Sequence, residues 1–210
     1  MSSDRLKRID PILQQYVDEG ELSGVVSLVA RHGKIVQFES FGSRDLEAGK
    51  PMEKDTLFRI YSMTKPIVSA ALMMLHEEGK FQLNDPVTDY IPQFKKLTVW
   101  ENGKEVKPKR PMRIQNLFTH TAGFAYGFNG DTEVDNRYMA ANILRGPRDL
   151  KEFIDVLSGI PLLHHPGDQY HYSVAVDVQG YLIEVLSGMP LDEFLKKRVF
   201  DPLGMTDTFF

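Results

Sequence analysis

Apolar residues recur at two different periods along this chain, and each change of period marks a new element. Leu6, Ile9, Ile12, Leu13 and Tyr16 share one face at helical spacing, which predicts an amphipathic helix from about Asp4 to Glu19. Gly20 and Gly24 end that pattern. Two β-rich runs follow, Val25 to Ala30 and Ile35 to Phe41, separated by Arg31-His32-Gly33-Lys34. This is a hairpin pattern, with Gly33 supplying the turn. Leu57 to Ile60 predicts one more short strand.

From Ser62 to about Gly79 the period is helical again. Ile67, Val68, Ala70, Ala71, Leu72, Met73, Met74 and Leu75 leave almost no polar face, the pattern of a helix buried all round. Pro66 sets its start, because a residue without an N–H is tolerated only in the first turn. Ser62 therefore lies at or beside the helix N-terminus. Further helices are expected over Asp149–Ser158, Val174–Leu186 and Leu191–Val199, and an excursion or small hairpin over Lys95–Pro111. Val156 to Pro161 is echoed by Val185 to Pro190, which is a repeated helix ending and not a repeat architecture. The pattern divides the chain into residues 1–60, a helix and first strands, and residues 61–210, a buried helix followed by a helical lobe.

Composition narrows the function classes. With 42% hydrophobic and 26% charged residues, the 210-residue chain is an ordinary globular sequence and not a disordered one. A net charge of −4 gives no footprint for nucleic acid, and the basic run Lys104 to Arg110, set among Pro and Gly, reads as a solvated loop. Cysteine is absent, which excludes disulfides, thiolate metal sites and a Cys nucleophile together. No apolar stretch is long enough for a membrane span, and no apolar run backs the charged N-terminus, so a cytoplasmic location is expected.

The candidate chemistry begins at Ser62-Met63-Thr64-Lys65. Serine and lysine three apart on a helix share a face. A neutral amine there could take the serine proton, and burial beside so apolar a helix is expected to lower the lysine pKa. The helix start also favours a developing oxyanion, with the Ser62 N–H as a natural donor. Taken alone, S-x-x-K is equally a helix cap followed by a surface lysine. His164, His165 and His171 lack paired-ligand spacing, so no metal site is expected. No G-x-S-x-G elbow is present, which disfavours an ordinary α/β-hydrolase.

Four segments in order carry more. Leu117-Phe118-Thr119-His120-Thr121-Ala122-Gly123 resembles an L-L-T-H-T-S-G segment, and Asp201-Pro202-Leu203-Gly204-Met205 a P-L-G-M segment. Asn84-Asp85-Pro86-Val87 matches a loop after the Ser62 helix, and Tyr170-His171-Tyr172-Ser173-Val174 resembles a Y-x-N or Y-S-x motif. Together with S-x-x-K these resemble the β-lactamase-like serine hydrolases: class C β-lactamases, D-alanyl-D-alanine carboxypeptidases and, most closely, family VIII carboxylesterases. The resemblance implies an α+β, β-lactamase/transpeptidase-like fold, an antiparallel sheet flanked by helices plus an all-helical lobe. It implies Ser62 as nucleophile, Lys65 as its base or proton relay, and Tyr172 as a second general base whose phenolate the adjacent ammonium stabilises. His120 is read as structural. Val174 stands where lactamases and peptidases of the family carry Asn, which tilts the expectation toward carboxylic esters. A lactam or peptide hydrolase, an acyltransferase and a non-catalytic binding relative remain the alternatives. No cofactor, nucleic acid or membrane is expected, only a small ester. No K-T-G, H-x-G or W-G-G follows Tyr172. The resemblance therefore implies that the return strands of the sheet are missing, which leaves three readings: a fragment, a chain that associates with a C-terminal complementing segment or a second copy, or a shortened non-catalytic relative.

Overall fold

The computed structural model describes residues 2–128, 130–146 and 149–210, in two compact units, Met1–Arg59 and Ile60–Phe210. In the first unit the expected helix is broken in two, α1 (Ser3–Leu6) and α2 (Ile9–Asp18). Pro11 explains the break. Inside one continuous helix its ring would clash with the carbonyl of Lys7, whereas in the first turn of α2 its missing N–H is not needed.

Strands β1 (Gly24–Arg31) and β2 (Lys34–Asp45) form the expected hairpin, paired from Gly24↔Gly42 to Arg31↔Lys34 with a one-residue shift of register between Val29 and Ala30. His32 and Gly33 turn the chain with φ of 50° and 71°, as a two-residue turn that matches strand twist requires. β3 (Lys50–Pro51) pairs with the end of β2, giving the antiparallel order β1-β2-β3. Leu57 to Ile60 is no strand. Its apolar residues meet the propensity, but a strand also needs a neighbour's N–H and C=O groups, and among the described residues no strand pairs with it.

The second unit is built on α3 (Thr64–Glu77) and α7 (Ala175–Ser187), which pack together. Val68, Ala71, Leu72 and Leu75 form the buried stripe of α3, at the i, i+3, i+4, i+7 spacing of one helix face. Burying a leucine of this kind contributes about 1.5–3 kcal/mol. The helix is not buried all round: Pro66 and Ala70 are exposed, and Met73 and Met74 half-buried. Apolar composition set the expectation; packing within this unit covers only one face. Gln179, fully buried on α7, accepts from the Ser69 hydroxyl at 2.8 Å and donates to the Leu117 carbonyl at 3.1 Å. One satisfied amide thus ties α3 and α7 to α4 (Ile114–Phe118).

The excursion after residue 95 is a hairpin, β4 (Val99–Glu101) and β5 (Lys104–Val106), turned by Asn102-Gly103. α5 (Glu133–Ala140), α6 (Leu150–Leu157) and α8 (Leu191–Leu195) complete the helical layer. Asp149 caps α6, its side chain accepting from Glu152 N–H at 2.7 Å. Among the described residues no helix is long and apolar enough to cross a membrane.

Candidate active site

Ser62 sits in a single 3₁₀ turn, Tyr61–Met63, that runs directly into α3. Tyr61 enters that turn at φ 43°, a left-handed conformation that is an outlier for a bulky residue. Lys65 lies one turn on. Its Nζ donates to Ser62 Oγ at 3.1 Å, so the i, i+3 spacing delivers the contact it implies.

Tyr172 arrives by a different route. Residues 119–126 and 163–174 are laced together by backbone bonds: Leu163 N–H to Gly123 O and Gly167 N–H to Thr121 O, both 2.7 Å, and His171 N–H to His120 O at 2.8 Å. Gly123 permits the approach. At φ 91° a Cβ there would lie 2.1 Å from the His164 carbonyl oxygen, so no side chain fits. The lacing carries Tyr172 to Ser62, where its hydroxyl donates to Ser62 Oγ at 2.6 Å. One serine oxygen thus accepts from both the lysine and the tyrosine.

The electrostatics correct one expectation. Burial does pull the Lys65 ammonium down, but the hydroxyls of Tyr126 and Tyr172 outweigh it, and the group lies above its ordinary 10.5. The Lys65 Nζ also stands 5.5 Å and 4.8 Å from the ring centroids of Tyr126 and Tyr172. Lys65 is therefore a cation, not a neutral amine, at neutral pH. The converse holds for Tyr172: the Lys65 ammonium, then the Ser62 hydroxyl, hold its phenol below the ordinary 10.0. Of the two groups on Ser62, the phenol is the one held below its ordinary value and the ammonium the one held above it.

A pocket of about 270 Å³ opens beside Lys65, walled by Val68, Tyr126, Val176 and Leu191, with Asp177 on its side. Asp177 is exposed, although the protein mass around its carboxyl pushes it up, while its own N–H and Lys65 hold it back. A larger cleft of about 520 Å³, against Val87, Phe94, Leu97 and Met112, contains none of the three candidate residues. Val174 is fully buried in the core and offers nothing to the pocket.

Sequence reasoning missed Tyr126, which lies in a short loop without period or motif. It also set aside His120, whose ring stands 4.9 Å from that of Tyr172. The three histidines near Tyr172 in sequence are engaged elsewhere. His165 accepts from Lys109 N–H and meets Glu101 at 3.1 Å, while His164 and His171 meet edge to face at 5.7 Å.

The profile of the beta-lactamase family matches residues 9–210. Protein Rv1367c of Mycobacterium tuberculosis is 39% identical over 203 residues, covering 94% of this chain and 50% of that protein. Esterase EstB of Burkholderia gladioli is 37% identical over 205 residues, covering 97% of this chain and 51% of that protein. Among solved structures, EstCE1, a hydrolase with promiscuous acyltransferase activity, superimposes with a TM-score of 0.84 at 34% identity, over 95% of this chain and 51% of that one. The chain thus spans about half the length of the relatives it matches. Matched from residue 9 to 210 and folded like its solved relative, it carries the β-lactamase/transpeptidase-like fold and belongs to the beta-lactamase family.

Proposed function

We propose that the chain carries the nucleophilic half of a carboxylester hydrolase that works through an acyl-Ser62 intermediate. The observation that carries this reading is the sharing of Ser62 Oγ by Tyr172 at 2.6 Å and Lys65 at 3.1 Å. Tyr172, as phenolate, takes the proton from Ser62 as Oγ attacks the ester carbonyl. The phenol then gives that proton to the departing alkoxide as the ester C–O bond breaks. In deacylation Tyr172 takes a proton from water, hydroxide adds to the acyl carbon, and Ser62 leaves as the proton returns to it. Lys65 stays charged throughout, keeping the phenolate accessible, and the Ser62 N–H, among the donors a helix start leaves unpaired, faces the oxyanion.

Two features favour an ester over a lactam or peptide. Val174 is buried and has no amide to bind a substrate carbonyl, and an ester needs less help than an amide to lose its leaving group. The pocket of about 270 Å³ lies at the small end for ligand sites, which suits a short acyl chain against Val68, Val176 and Leu191. That EstB bears the name esterase agrees with this choice.

The test is mass spectrometry of the chain after brief exposure to p-nitrophenyl esters of increasing acyl length. The expected result is an acyl adduct on the peptide containing Ser62, strongest for short chains and absent in Ser62→Ala. An adduct on another residue, or none on folded protein, sinks the reading.

A further inference from the structure

His120 grips the backbone on both sides of Tyr172. Its carbonyl accepts from the His171 N–H at 2.8 Å, and its ring Nδ1 accepts from the Ser173 N–H at 3.2 Å, with the Ser173 hydroxyl 3.4 Å away. Its ring also packs against the Tyr172 ring, and the Tyr170 ring meets it edge to face at 6.0 Å. The residue is held at φ 52°, a left-handed conformation that His adopts rarely and that is maintained only where the surroundings over-determine it. Since a peptide N–H donates to Nδ1, that nitrogen is bare and the ring hydrogen is on Nε2. Burial, and then the charge of Lys65, hold the imidazole below its ordinary value, which keeps the acceptor available.

We propose that His120 is the positioning residue for Tyr172: its carbonyl and its Nδ1 clamp the peptide on either side and so hold the phenol oxygen on Ser62. The role rests on the reading above in which Tyr172 moves the Ser62 proton. It is distinct from a packing role, because a packing residue needs bulk whereas this one needs an acceptor at one place. The wider Thr119-to-Gly123 segment then has a purpose beyond structure: Gly123 lets the two segments close, and His120 sets where the tyrosine ends up.

Three variants of the 210-residue chain separate these roles. His120→Gly keeps the left-handed backbone but removes Nδ1, His120→Leu keeps bulk without an acceptor, and His120→Asn keeps both the conformation and an acceptor oxygen. Tyr172 is titrated by NMR of ¹³Cζ-labelled tyrosine, assigned with Tyr172→Phe, alongside the rate of Ser62 labelling by a fluorophosphonate and the melting temperature. The Gly and Leu variants are expected to titrate Tyr172 nearer the ordinary 10.0 and to label about 10–100-fold more slowly, the usual effect of a small misplacement. The Asn variant is expected to stay within about threefold of wild type even where it melts as early as the others. An unmoved Tyr172 titration in whichever of the Gly and Leu variants folds, or an Asn variant as impaired as those two, overturns the proposal. If no protein labels at Ser62 yet the Tyr172 titration still separates Asn from Gly and Leu, the clamp stands and the hydrolase reading falls.

Discussion

The two sides of the site are made in opposite ways. Ser62 and Lys65 come from one helix start, three residues apart, and need only a 3₁₀ turn and the first turn of α3 to meet. Tyr172 comes from a loop more than a hundred residues on, held by a second loop through His120, Thr121 and Gly123. The first side is local, exposed and strained at Tyr61; the second is non-local, hydrogen-bonded and tightly approached. The difference teaches where each property resides: the placing of Ser62 beside Lys65 is a matter of helix geometry, the approach of Tyr172 to it a matter of long-range packing.

The sharpest way to break the comparison is to remove the oxygen on the far side. Tyr172→Phe keeps the ring against His120 and Lys65 but deletes the hydroxyl that moves the proton in the proposed reaction, and should lower kcat by about 10²–10⁴ with KM little changed. Lys65→Met should fall in the same range by a different route, leaving the phenol present but without its cation. Steady-state turnover of a short-chain p-nitrophenyl ester measures both. A Lys65→Met variant as active as wild type would show that the ammonium is not what prepares Tyr172.

Gly123→Ala attacks the lacing instead of the chemistry. The added Cβ would stand 2.1 Å from the His164 carbonyl oxygen, so the two segments must separate. A loss of about 3 kcal/mol in chemical denaturation is expected, the upper end for one small substitution, with labelling of Ser62 falling in the fraction that stays folded. The same change at Gly103, where a Cβ meets nothing within 4 Å, adds only the strain of φ 79° and is the matched control. Equal losses at the two positions would refute the close approach.

How much of this was legible in the sequence follows the same local and non-local line. The hairpin at His32-Gly33, the presence of helix α3 and the Ser62–Lys65 contact are set by spacings of a few residues, and those readings agree with the structure, whereas burial of α3 on every side does not. Tyr172 came within view only through resemblance, since nothing in a period or a propensity joins residues 62 and 172. Tyr126 and the left-handed turn at His120 have no local signature at all. The error about Lys65 has the same origin. Desolvation by its own helix was readable, while the two tyrosines that reverse the net effect arrive from distant loops. Leu57 to Ile60 failed as a strand for want of a partner, a long-range property as well.

The pH profile sharpens the comparison by assigning a limb to each side. With its phenol protonated, Tyr172 donates to Ser62 and cannot take its proton, so kcat/KM should rise tenfold per unit until the phenol ionises, somewhere below the ordinary 10.0. Lys65 loses its charge only above the ordinary 10.5, so the falling limb should begin beyond that. The expected profile climbs through neutrality to an alkaline plateau, whereas a neutral lysine base, which needs a lowered pKa, would already be on its plateau at neutral pH. A plateau already reached at neutral pH, and kept in Tyr172→Phe, would return the base role to Lys65.

The smallest effect tests whether the strain on the nucleophile's side is real. Tyr61 holds φ 43° immediately before Ser62, in a region that L side chains with bulk avoid and glycine enters freely. Tyr61→Gly removes that strain but also raises the entropy of the unfolded chain, and relief at a left-handed position is the larger of the two. Stability should therefore rise by about 0.5–1 kcal/mol in chemical denaturation. Tyr61 is largely exposed, so little buried area is lost against that gain. Activity should move the other way, falling a few-fold as the turn that fixes Ser62 gains freedom. A variant that is less stable than wild type would show that the ring, and not the backbone, is what holds the turn.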